Sequence, residues 1–223
     1  MANNLSPSAR EFLRGCHNND LPSLQKYISG RSLDVDVVFR GMVEAIRYKN
    51  WEAFSLVYDF ASVKFKTHPR RFQEMSEEIL WDIIAVSTSE NFSEVSSVLK
   101  KVVAFCRPNK ISSALYAAAQ KNKNGIFEQL LPNFVPDRIT HEILFHISLQ
   151  NKNDTIQNLL FERIDIDKVR EALWSSHEDK YNRDRNQTQS NIDRLEAMIS
   201  NRNLTHMLQT EISDDVRFAR RKM

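Results

Sequence analysis

Glycine is scarce in this chain, with 4 residues in 223, where average usage of about 7% would give about 15. Left-handed turns are therefore poorly supplied with their easiest residue. A glycine-rich phosphate loop or a β-sandwich of tight hairpins is not expected. Charge of one sign is also missing, since 31 Lys and Arg face 29 Asp and Glu for a net +2. Nucleic-acid affinity comes mainly from neutralised phosphates, so the balance predicts no nucleic-acid partner. Long apolar runs are absent: no window approaches the 18 or so residues of a membrane span, and none is predicted. The opening MANNLSPSAR lacks the apolar core of a secretory signal, and the expected compartment is the cytoplasm. The two cysteines, Cys16 and Cys106, stand alone in apolar, helix-like surroundings and read as thiols in a reducing compartment. Asn-x-Ser/Thr triplets at Asn91, Asn153, Asn186 and Asn203 would matter only in a secreted chain.

What is present is helical periodicity. Apolar residues recur at 3.6 spacing in Val38, Met42, Val43, Ala45 and Ile46, in Ile79, Leu80, Ile83 and Ile84, and in Ile143, Leu144 and Ile147. Alternation of the β type is confined to Leu33–Val37 and Ile164–Asp167. First helices are expected after caps at Asp36, Ser76, Asn109 and Asp137, each closing at a polar asparagine. A second apolar helix follows each closure. The turn asparagines at 19, 50, 91, 124 and 153 are separated by 31, 41, 33 and 29 residues, close to the period of about 33 of stacked helical hairpins. Such a unit cannot bury its apolar face alone, so five of them are expected to stack as an all-α solenoid.

The run from Ala114 to Leu131, with its Ala-Ala pair and terminal Leu-Leu, resembles the paired helices of an ankyrin repeat. Val43-Glu-Ala-Ile and Leu159-Leu160 echo it. The likeness covers roughly residues 8 to 176. It departs from the family in lacking the Thr-Pro-Leu-His opening and in placing Asn or Asp where Gly-His usually stands. It implies helical stacking and an interaction function; the departures bear on the family's β-hairpin fingers and not on the stacking, and tetratricopeptide or other helical-hairpin solenoids are the alternatives. Divergent, Asn- and Lys-rich repeats of this kind are similar to those of effectors that intracellular bacteria send into host cells, and to some large-virus proteins. The expected organisation is a repeat array over 1–176, a polar insertion over 177–189, and capping helices with a basic tail over 190–223. Within that last part, helices are expected at about 190–202 and 203–212.

Catalytic patterns resolve into structural ones. His141-Glu-Ile-Leu-Phe-His146 is one residue longer than the zinc-protease motif, and its histidines lie roughly 140° apart on a helix, so one zinc cannot take both. Cys16 and His17 are adjacent and do not face each other on a helix. Asp34 with Asp36, Asp165 with Asp167, and Asp137 all stand just before a first helix, where an aspartate caps free N–H groups. Neither a metal nor a cofactor site is expected. Trp81, Phe105, Tyr116, Phe127, Phe145 and Trp174 fall in apolar stripes and are expected in the core. Trp51 opens a second helix where other units carry Phe92, Gly125 or Asp154, and is placed at a hairpin edge or exposed.

Two segments break the period, the polar insertion after Trp174 and a longer connector. Asn50 to Ser76 spans 26 residues against 13 to 18 in the other units, and the surplus is Lys64 to Phe72. It combines Lys64, Lys66, His68, Arg70 and Arg71 with Phe65 and Phe72 around Pro69. Arginine and aromatic side chains build interface hot spots, so these residues, with Trp51, are the candidate partner-binding set. The expected function is a non-enzymatic adaptor or effector that is monomeric when unbound. It would bind one protein, a host protein in the host cytosol if the chain is a secreted effector, through a concave face and its inter-repeat loops. An enzyme or inhibitor with a scattered site, and a fixed subunit of a larger assembly, are the alternatives.

Overall fold

The computed structural model describes residues 5–30, 33–133, 138–161, 163–178 and 185–221. Among them are twelve α-helices, one short 3₁₀ turn and no strand. The chain divides into two compact units, residues 1–137 and 138–223. The first holds α1 (Pro7–Asn18), α2 (Leu21–Gly30), α3 (Val35–Arg47), α4 (Trp51–Lys64), α5 (Pro69–Val86), α6 (Phe92–Val103), α7 (Pro108–Gln120) and α8 (Asn124–Leu130), closed by the 3₁₀ turn Leu131–Asn133. The second holds α9 (Arg138–Gln150), α10 (Asp154–Phe161), α11 (Ile166–Glu178) and α12 (Arg185–Arg221).

Helix starts follow local chemistry. Ser6 accepts the Ala9 N–H at 3.2 Å, and prolines open α1, α5 and α7, where the missing N–H costs nothing. The cap of α3 is Asp34, which accepts the Asp36 N–H at 2.8 Å, so the expected cap Asp36 lies inside the first turn, as Asn109 lies inside α7 behind Pro108; Asp165 accepts the Lys168 N–H at 3.3 Å. The alternating stretches around them are thus a cap and a first helical turn.

Four hairpin turns share one geometry. Asn19, Lys49, Asn122 and Lys152 have positive φ, and the next residue donates its N–H five residues back, to Gly15, Ala45, Ala118 and Ser148 at 2.8–3.0 Å. This is a Schellman closure in which asparagine or lysine takes the place usual for glycine. The carbonyl always belongs to a small buried residue. In the hairpin of α5 and α6 the turn is built differently: Thr88 and Asn91 exchange backbone-to-side-chain bonds at 2.7 and 3.4 Å.

In the first unit α1, α3, α5 and α7 pack in one row and α2, α4, α6 and α8 in a second, each odd helix also packing on its following partner. Apolar side chains between the rows, such as Phe12, Met42, Phe54, Ile79, Leu99, Leu115 and Phe127, are fully buried. Gly41 allows α1 to approach α3, since a Cβ there would lie 2.6 Å from the Phe12 ring. Asparagines join neighbouring turns: Asn50 donates to the carbonyls of Cys16 and His17 at 3.0 and 2.7 Å, and Asn19 accepts the Ala53 N–H at 3.0 Å. Orphan groups at two helix ends are thereby satisfied.

The long unit departs from the expected cap at Ser76. α5 begins seven residues earlier, at Pro69, because the proline supplies a start and Phe72 and Met75 extend the buried stripe. Ser76 sits inside α5, its hydroxyl 2.8 Å from Tyr58 Oη and donating to the Phe72 carbonyl at 2.9 Å. Glu77, 5% exposed, accepts from Arg107 Nε at 2.6 Å, Nη2 at 2.5 Å and the backbone N–H at 3.1 Å. That pair ties α5 to the start of α7.

In the second unit α9 packs on α10 and α12, and α11 on α12. Leu144, Phe145, Ile156, Leu160, Val169, Leu173, Ile192 and Leu195 are buried. Arg194 binds Gln157 Oε1 at 3.2 Å and also Asp154, while Arg170 pairs with Glu196 at 2.8 Å. The two helices expected at about 190–202 and 203–212 are one, α12. No glycine or proline interrupts it, and each interior asparagine costs less than about 1 kcal/mol. The polar stretch 177–189 contributes the end of α11 and the start of α12, with 179–184 outside the described residues.

Candidate functional site

The shared turn gives a common register to the first helices. Leu13, Val43 and Tyr116 each stand six residues before the left-handed residue of their hairpin. In α5 the buried pairs Ile79–Leu80 and Ile83–Ile84 match Gly41–Met42 and Ala45–Ile46 of α3, and Ala114–Leu115 and Ala118–Ala119 of α7. That match puts Trp81 at the same position. Four apolar or aromatic side chains therefore lie in register on four successive helices of one row. Leu13 and Val43 are half-buried, and Trp81 and Tyr116 are 40% and 41% exposed.

Charge changes sign along this line. Arg14 and Glu44 follow it on α1 and α3, and Arg40 lies three residues before Val43; the matching α5 positions hold Glu78 and Asp82. Burial pushes the Asp82 carboxyl above its ordinary range, with Arg47 acting in the opposite direction. Between α1 and α3 the surface opens into a groove of about 790 Å³, lined among others by Leu13, Phe39, Val43, Arg14, Arg40 and Arg47.

The expected aromatic core is corrected here. Phe127 and Phe145 are buried, but Trp81, Phe105, Tyr116 and Trp174 are 40–42% exposed. Trp81, Tyr116 and Trp174 directly follow the buried Leu80, Leu115 and Leu173 and fall at the edge of their helices' buried stripes, while Phe105 lies in the turn after α6. Trp51 moves the other way, being only 7% exposed, and its buried indole N–H has no hydrogen-bond partner among the described residues.

The candidate set at residues 64–72 is placed as follows. Only four residues separate α4 from α5. Phe65 and Phe72 are buried, Phe72 with its ring 5.2 Å from Tyr58 and 4.9 Å from Phe105. Lys64 donates to the Leu33 carbonyl and lies over the Phe60 and Phe65 rings at 5.4 and 5.8 Å; its burial lowers its pKa, opposed by Asp34. Arg70 pairs with Glu74 at 3.3 Å, and Arg71 reaches Asp36 at 3.5 Å and Glu74 at 3.7 Å. Lys66 and His68 are exposed. The connector thus keeps its charges at the surface and commits its rings to packing.

The remaining chemical candidates do not converge. Cys16 and Cys106 are free thiols, each pushed up to about 12 by burial. His17 lies 3.9 Å from the Tyr48 ring and 4.0 Å from Glu44. Burial lowers the pKa of His146, with Glu142 opposing, while Asp137 and the side chain of His141 lie outside the described residues. Among the described residues no group of three His, Cys, Asp or Glu is arranged to hold a metal ion. No described helix is long and apolar enough to cross a membrane.

No protein-family model, curated protein or solved structure matches this chain. Trp81, Tyr116, Arg14 and Arg40 are the surface residues that sequence reasoning missed. Their signal was positional: Trp81 and Tyr116 directly follow a buried pair, and Arg14 and Arg40 directly precede one.

Proposed function

We propose that the chain is a protein-binding module of ankyrin-like helical hairpins, stacked as in a solenoid, that engages one protein partner through the exposed face of its first helices. The observation that carries this reading is the in-register line of Leu13, Val43, Trp81 and Tyr116 on α1, α3, α5 and α7. Large aromatic side chains held on a rigid helical row are the anchors from which binding energy is built, and stacked repeats present such rows. Support for the ankyrin likeness comes from the turns. A small buried residue stands four positions before the left-handed residue in each, and Asn or Lys occupies the left-handed position itself. The proposed setting is the one that the resemblance implies, an effector acting on a host protein in the host cytosol. Lys66, Arg70 and Arg71, exposed in the connector before α5 and in its first turn, add charge beside it.

The test is capture of partners from a eukaryotic cytosolic lysate on the immobilised chain, with the Trp81→Ala, Tyr116→Ala variant and the Arg70→Ala, Arg71→Ala variant alongside. The expected result is one stoichiometric protein, lost with the aromatic variant and reduced with the arginine variant. Retention of the same protein by the aromatic variant would remove the face from the account.

A further inference from the structure

We propose that the groove between α1 and α3 binds an acidic amphipathic helix, a protein segment with apolar side chains along one stripe and carboxylates beside it. This inference rests on the protein-binding reading and names the chemistry of what is bound. The floor of the groove is apolar: Leu13 from α1, with Phe39 and Val43 one turn apart on α3, all half-buried. Its rim is cationic, with Arg14 on α1 and Arg40 and Arg47 on α3, all exposed. Among the described residues one carboxylate lines the groove, that of Glu44, and it is already held by Arg47 at 2.8 Å. Arg40 has no carboxylate within 4.0 Å among the described residues. Arg14 acts on Asp20 only at longer range.

This local excess is not a reflection of the whole chain, whose charges nearly cancel. It also ends at α5, where Glu78 stands at the position of Arg40 and Asp82 at the position held by Arg14 on α1 and Glu44 on α3. An occupant acidic throughout is accepted over α1 and α3 and repelled at α5, so the charge pattern fixes where it lies. The planar guanidinium favours carboxylates through paired N–H donors. A phosphate backbone would meet the arginines but leave the apolar floor uncovered, which disfavours nucleic acid. At about 790 Å³ the groove falls within the size range of ligand clefts. An amphipathic helix laid into an apolar groove is an established mode of peptide recognition.

The probe is a fluorescein-labelled 16-residue helical peptide with leucines at i, i+4, i+7 and i+11 and glutamates flanking them, titrated with the full chain by fluorescence anisotropy. The same peptide with lysine for glutamate and a 20-nucleotide single-stranded DNA serve as comparisons. Saturable binding of the glutamate peptide is expected, at least tenfold tighter than either comparison and weakening as salt rises. The Arg14→Glu, Arg40→Glu variant should lose at least tenfold for the glutamate peptide and gain for the lysine peptide. Both arginines are exposed, so its thermal melting should stay that of the original chain. A variant with unaltered melting and unaltered affinity would overturn the proposal. So would equal affinity for both peptides, tighter binding of the DNA, or no saturable binding below about 1 mM. The capture experiment fails or succeeds on Trp81 and Tyr116, which this titration leaves intact, so the two readings can fall separately.

Discussion

Gly41 and Gly30 make a matched pair of opposite sign. A methyl group at Gly41 would meet the Phe12 ring at 2.6 Å and Cys16 Sγ at 3.0 Å, both on fully buried side chains, whereas nothing lies within 4 Å of a Cβ at Gly30. Gly41→Ala should cost about 1–3 kcal/mol by overpacking, and Gly30→Ala should add about 0.5 kcal/mol by restricting the unfolded chain; urea unfolding of the two variants reads both. Glu77 carries the clearest pH dependence. Its bonds to Arg107 hold its carboxyl below the usual range. The depressed value means that this stabilisation is complete above the unfolded pKa of about 4.3 and is lost as pH falls through the lower folded value. Arg107→Ala leaves a carboxylate that is 5% exposed without its cation and the two hydrogen bonds of the guanidinium, and should lower stability at pH 7. Lys101→Ala, which breaks the exposed pair with Asp59, should cost less than about 1 kcal/mol. The gap in unfolding midpoint between the Arg107 variant and the original chain should be widest at pH 7 and should narrow as pH falls below the unfolded value of about 4.3.

Elements are set by their ends as much as by their stripes. Lys49 and Lys152 hold positive φ, a conformation that costs a side chain about 1 kcal/mol or more and glycine almost nothing. Lys49→Gly and Lys152→Gly should each raise stability by about 0.5–1 kcal/mol, while Tyr48→Gly, at an ordinary φ of −95°, should lower it. Guanidinium unfolding curves on the three variants decide the matter. The hairpin turns were legible in the sequence because an asparagine lies at or within two residues of each left-handed position. The register within each turn was not, since lysine carries no turn signal of its own. The start of α5 was misplaced because Pro69 reads equally as a loop residue and as a first helical residue. Only the packing of Phe72 and Met75 decides between those readings. The single helix α12 was hidden for a related reason, as its asparagines resemble the closing residues of the other hairpins.

At the scale of the molecule, the first unit is two rows of helices that share one apolar interior, and Cys16 and Cys106 stand at different places along it. With both thiols pushed up to about 12, roughly one part in ten thousand is thiolate at pH 8. Both should resist a disulfide reagent in the native state and become reactive in one denaturant transition that coincides with loss of far-UV helical ellipticity. The helical class and the presence of hairpins follow from periodicity alone. The exposed face does not, because a stripe wide enough to bury a helix on two neighbours looks the same whether its outermost aromatic is covered or not. Trp81 and Tyr116 were counted as core for that reason, and Trp51 as edge. The central claim is that the outward face of α1, α3, α5 and α7 meets the partner, and oxidative footprinting tests it most directly. Hydroxyl-radical modification of the captured complex should show Leu13, Val43, Trp81 and Tyr116 protected relative to the unbound chain, with exposed Val63 on α4 unchanged. Unaltered modification at Trp81 and Tyr116, with protection confined to α2, α4, α6 and α8, would contradict the account.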